Sequence, residues 1–156
     1  MITTSSFSKV AYEEKLPFIP LEQEIDQLIA GGGKKMAVKL QVAKETAARI
    51  GEILSIKWCD VDFATKTLRI NQPEKHSLPR ICRISDKLVN MLNALPRKSE
   101  RIFGNISVIC CTKLLAYQRK QVANKLHNPR INQIHFHTLR HSTYNNSSAT
   151  KTSKTL

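Results

Sequence analysis

Between Lys34 and Trp58 the apolar residues Met36, Leu40, Ala43, Ala47, Ile50 and Leu54 recur every three or four positions. Directly after Trp58 that period collapses to two. A stripe of the first kind is one face of a helix, and alternation of the second kind is a half-buried strand. The chain must therefore pass from a long helical stretch into a small sheet. Thr46 can cap a helix beginning near Ala47, so two helices with a sharp junction are expected, Arg49 lying in the first turn of the second. Asp60–Phe63 and Thr67–Ile70 alternate around Ala64-Thr65-Lys66, which reads as a hairpin, and Arg80–Ile84 supplies a third strand. The loop between them, Pro73 to Pro79, carries Lys75 near its tip.

Helices flank this centre. Leu21, Ile25, Leu28 and Ile29 form one stripe, closed by Gly31-Gly32-Gly33. That triple glycine follows a helix and lacks phosphate-loop spacing, so it reads as a turn. Ser85 caps a helix with Leu88, Met91, Leu92 and Leu95 inside, ended by Pro96. Residues 107–126 form another, with Val108, Cys111, Leu115, Val122 and Leu126 as inner face and Lys113, Arg119, Lys120 and Lys125 outside. The expected fold class is mostly α with a small antiparallel three-stranded sheet. Residues 1–16 read as a flexible tail, 17–144 as the domain, and 145–156 as a disordered polar tail.

Charge narrows the partner. The net charge is +13, and residues 97–156 hold 11 basic side chains against Glu100 alone. Such asymmetry favours nucleic acid over a small-molecule substrate. No apolar run approaches the ~20 residues of a membrane helix, and no secretory signal opens the chain. The four cysteines, at 59, 82, 110 and 111, form no C-x-x-C pair and read as reduced, mostly buried thiols in a cytoplasmic protein.

The chemistry gathers at His137-Thr138-Leu139-Arg140-His141. On a helix His137, Arg140 and His141 share a face, giving one fixed cation and two proton carriers aimed at one spot. That suits a phosphodiester that must be held and protonated. His137 and His141 have the spacing of a zinc pair, but no third ligand is evident with His135, so no metal and no cofactor are expected.

With Arg49 and Lys75 added, the sequence resembles the tyrosine recombinases, the phage-integrase and Xer-like family, including its archaeal integrase kind. Thr46-Ala47-Ala48-Arg49-Ile50-Gly51-Glu52 through Trp58-Cys59-Asp60-Val61-Asp62 is similar to the family's first box. The segment from Lys75 to Ser85 is similar to its hairpin-lysine segment, and His137–His141 to its H-x-L-R-H box. The resemblance implies a recombinase catalytic domain in which a Tyr attacks DNA without metal. It assigns Arg49 and Arg140 to the non-bridging oxygens, Lys75 to the leaving oxygen, and His137 to proton handling, with His141 beside it and Glu52 orienting Arg49. Lys113, Arg119, Lys120, Lys125 and Arg130 would contact double-stranded DNA, within an assembly of recombinase protomers at the nucleoid.

The family's Gly-His pair and nucleophilic Tyr are not found in the 16 residues after Arg140, where Tyr144 stands too close to swing into line. The expectation is a catalytic-domain fragment, truncated before its nucleophile and inactive alone. Its alternative is a non-catalytic basic DNA-binding or regulatory module.

Overall fold

The computed structural model describes residues 16–140, 142 and 143. Residues 1–15 and 145–156 of the expected tails, and with them Tyr12, Tyr144 and His141, lie outside the described residues. Helix α1 spans Glu22–Ala30, α2 Lys34–Thr46, α3 Ile50–Leu54, α4 Asp86–Asn93 and α5 Val108–Leu126. Short 3-10 turns cover Trp58–Asp60 and Pro129–Gln133, and the last helical residues are 136–140 with 142 and 143. Strands β1 (Val61–Asp62), β2 (Thr67–Ile70) and β3 (Arg80–Arg83) form an antiparallel sheet in the order β1-β2-β3. The fold class read from periodicity is the one observed.

The core runs through every element. Leu40, Ile53, Leu88, Leu115, Ile131, Ile134 and Leu139 are all at most 1% exposed. The sheet joins it through Leu68 and Ile70, while Arg69 between them points out, as the two-residue period demands. Ser85 caps α4 by accepting the Leu88 N–H (3.2 Å). Its own N–H and hydroxyl donate to Glu45 at 2.7 and 2.8 Å, tying α4 to α2.

The stripes fail at their ends. Leu21 is 59% exposed because it is the residue before α1, its N–H donating to Glu24 Oε1 (2.9 Å). Val108 and Leu126, expected inside, lie in the first and last turns of α5 and are 41% and 42% exposed. The thiols are not mostly buried either. Cys59 and Cys110 are exposed, Cys82 is half-buried and Cys111 buried, and all are free. Among the described residues no helix is long and apolar enough to cross a membrane.

Helix α5 ends on His127, exposed and left-handed with φ 53°. A side chain at this position costs about 1 kcal/mol that glycine does not incur. His127→Gly is therefore expected to stabilise the chain by about that amount, read as a melting-temperature rise of a few degrees.

Candidate active site

Arg49 is placed by how α2 stops. The Thr46 hydroxyl donates to the Val42 carbonyl (2.7 Å) and accepts the Ala48 N–H (3.2 Å). It therefore closes the helix it belongs to and does not cap the next one. Ala47 turns left-handed (φ 56°), and α3 begins only at Ile50 with Arg49 as its capping residue. The junction is three residues wide, and Arg49 precedes the first turn expected to contain it. Glu52 supplies the cap by reaching back to the Arg49 N–H (3.0 Å).

Glu52 is 1% exposed and does more than that. It accepts the Glu74 N–H at 3.2 Å and Arg80 Nη2 at 2.8 Å. Its carboxylate thus holds the backbone of Arg49 and the loop carrying Lys75, but its ionic partner is Arg80, not the Arg49 guanidinium it was expected to orient. Burial alone would raise its pKa. The Arg80 hydrogen bond, then the Arg49 and Glu74 amides, outweigh that and hold it below the ordinary carboxylate range.

The His-Arg stretch is docked on the same junction. The His135 N–H donates to Thr138 Oγ1 (3.1 Å), starting the helix, and Leu139 sinks into the core. Arg140 Nε donates to the Ala47 carbonyl (2.8 Å) and Thr143 Oγ1 to the Lys44 carbonyl (2.7 Å). Both are carbonyls that the end of α2 leaves without helical partners. The rings of His135 and His137 stack at 5.3 Å, 12° from parallel.

His135, which its spacing offers only to a metal, lines the site. Arg119 Nη1 donates to its Nδ1 (2.8 Å) and to the Ile134 carbonyl (3.2 Å), which requires Nδ1 to be unprotonated. Burial, then the charges of Arg119 and His137, push the His135 pKa down. A depressed histidine pKa means the unfolded chain takes up the proton first. Its contribution is complete above about pH 6.5 and is lost as pH falls toward the lower folded value. The melting temperature should fall from about pH 7 to about pH 5 more steeply than in His135→Asn.

These segments bring Arg49, Lys75, His137 and Arg140 to one cleft of about 270 Å³, with Glu74 and His135 also in its wall. Arg49 Nε is buried without a hydrogen-bond partner among the described residues. Lys75 is exposed at its loop tip in a left-handed turn (φ 56°). Buried donors are nearly always satisfied, so an orphaned Nε among further cations has the chemistry to take an oxyanion.

The outer basic residues divide. Lys113, Lys120 and Lys125 are exposed on α5. Arg119, expected beside them, is turned inward onto His135. Arg130 is committed to Glu24, a buried carboxylate 3.1 Å from its Nε, and lies over the Phe18 ring at 5.1 Å. The core demanded both arginines to satisfy a carbonyl and an acid that burial had cut off from water. Tyr117 is 68% exposed on α5 and does not line the cleft.

The phage integrase family model matches residues 22–147. The chain belongs to the phage integrase family. This integrase chain superposes on XerA recombinase with a TM-score of 0.65 at 17% identity, covering 88% of itself and 54% of that protein. It superposes on the Tn1549 transposon integrase, solved in complex with transposon right-end DNA, with a TM-score of 0.69 at 16% identity, covering 88% and 55%. The integrase chain thus spans about half the length of these structures and shares their fold. No curated protein matches it.

Proposed function

We propose that the cleft holds one phosphodiester of duplex DNA for site-specific strand exchange, with residues 17–144 as the unit that binds. The observation carrying this is the orphaned Arg49 Nε in a cleft shared with Lys75, His137 and Arg140. Two guanidinium forks would share the charge that builds on the non-bridging oxygens, a contribution worth on the order of 100-fold in rate each. Lys75, on an exposed loop tip, would reach the leaving oxygen, and His137 would move a proton beside it. Exposed Lys113, Lys120 and Lys125 would meet neighbouring phosphates. The DNA in the Tn1549 complex supports duplex DNA as partner, and related protomers would assemble on it.

The attacking group is not among the described residues of the cleft. Tyr117 stands outside it, so the described residues bind and stabilise charge without supplying the attack. The inactive binding role proposed for the chain alone rests on the sequence, in which Tyr144 stands too close to Arg140 to swing into line.

Fluorescence anisotropy on duplex DNA at several salt concentrations tests the binding. Affinity is expected to fall steeply with salt, and Arg49→Gln to weaken it about tenfold and reduce the log–log slope by about one. Salt-independent affinity would remove the reading. A nicked duplex that traps covalent intermediates should yield no adduct with the chain alone, and an adduct at Tyr144 would overturn the inactive role.

A further inference from the structure

Lys39 is a buried lysine with no acid. It is 3% exposed on α2, and its ammonium lies over the Phe103 ring at 5.4 Å. No carboxylate or hydrogen-bond acceptor among the described residues engages it. Other lysines are supplied: Lys44 on the same helix pairs with Asp26 at 2.7 Å and Glu22 at 3.2 Å, and Lys57 with Glu100 at 3.0 Å. Water satisfies an exposed lysine, but the Lys39 side chain is buried along its length and reaches water only where it lines the groove.

The Lys39 side chain lines a groove of about 840 Å³ between the start of α2 and the α5 face from Cys110 to Gln121, a size common for small-molecule sites. Its lining contains no Asp or Glu. The N-terminus of α2 opens onto the same space at Gly33, with no side-chain cap and no acid in its first turn. Its first amides lack a side-chain cap, and the positive end of its dipole lies beside the groove. Lys35 stands at the rim, and Met36, Ile106, Leu114 and Tyr117 make apolar walls. Leu114 and Tyr117 are 51% and 68% exposed, apolar surface that an occupant would cover. Gly32 allows the close fit, because a Cβ there would fall 1.9 Å from the Gln118 amide that donates to the Leu28 carbonyl.

We propose that this groove binds a small apolar-bodied anion, a carboxylate on an aromatic or acyl frame, with Lys39 and the first amides of α2 holding the charge. Burial pushes the Lys39 pKa down, Cys111 acts against that, and Lys35 adds to the lowering. An inorganic anion would leave the apolar walls wet, and a neutral body would leave Lys39 unsatisfied. The groove shares no lining residue with the Arg49 cleft, so its occupancy is independent of the DNA reading.

The test is an amide chemical-shift titration of the full chain with 2-naphthoate, 2-naphthylmethanol and inorganic phosphate. Naphthoate is expected to shift residues 33–39 and 104–107 and to bind about tenfold tighter than either the alcohol or phosphate. Lys39→Met keeps the length and apolar character and should erase the preference for carboxylate over alcohol. Leu114→Glu, at an exposed position, should weaken naphthoate about tenfold by placing a like charge at the mouth, and it decides the matter if Lys39→Met fails to fold. Equal affinity for carboxylate and alcohol, an unchanged preference in both variants, no binding, or shifts confined to the Arg49 cleft would each overturn the proposal.

Discussion

Glu52→Ala is expected to cost about 3 kcal/mol of stability and to abolish tight DNA binding together with it. The carboxylate is fully buried and answers three donors: the Arg49 and Glu74 amides and Arg80 Nη2. Removing the carboxylate takes the acceptor from the Arg49 and Glu74 amides and the ion pair from Arg80. The low end of the usual penalty applies, because 32% of the Arg80 side chain remains in water. Binding should suffer beyond the stability loss, since Glu52 joins the backbone of Arg49 to the loop of Lys75. Urea unfolding with anisotropy at a temperature where the variant stays folded separates the two effects. Glu52→Gln keeps the shape and two acceptor sites and should fall between the variant and the parent. A Glu52→Ala chain that binds DNA as the parent does would remove the argument that the loop and Arg49 are positioned together.

Leu139→Ala is the second large effect, about 3 kcal/mol from lost burial and the cavity left behind. Leu139 is 1% exposed and sits between His137 and Arg140, so it anchors the turn from which both project. The expected signature is a loss of stability accompanied by weaker DNA binding. Leu92→Ala, equally buried on α4 but away from the cleft, should lose similar stability and bind normally once folded. If both variants bind alike, the anchoring role of Leu139 fails.

What could be read from the sequence was what obeys a period or a fixed spacing. The helices, the three strands, the Ser85 cap and the grouping of Arg49, Lys75, His137 and Arg140 follow from local pattern and motif order. What could not be read was decided by tertiary contacts. Thr46 looks like a cap from its position, but its hydroxyl is taken by Val42. Glu52 sits one turn from Arg49, yet Arg80, 28 residues on, reaches it first. Arg119 shares the basic face of α5 in projection and still turns inward, because His135 and the Ile134 carbonyl need a donor. Arg130 is drawn to Glu24, 106 residues earlier, by the same need. A signal was available for Glu52: it lies among Ile50, Ile53 and Leu54, where an acid must find a partner. Nothing local named that partner.

The bond from Arg140 to the Ala47 carbonyl gives the two arginines a common ruler. One peptide, two residues before Arg49, sets where Arg140 is held. The distance between the two forks is therefore tied to this backbone group, while the Thr143 bond to the Lys44 carbonyl and buried Leu139 hold the same turn. Arg140→Lys would lose both a fork and that registration, since an ammonium cannot grip a carbonyl and an oxyanion in the same planar fashion. In a double-substitution cycle, Arg49 and Arg140 should then show a large coupling in phosphate binding, the second removal costing much less than the first. Lys75, on its separate loop, should add nearly independently.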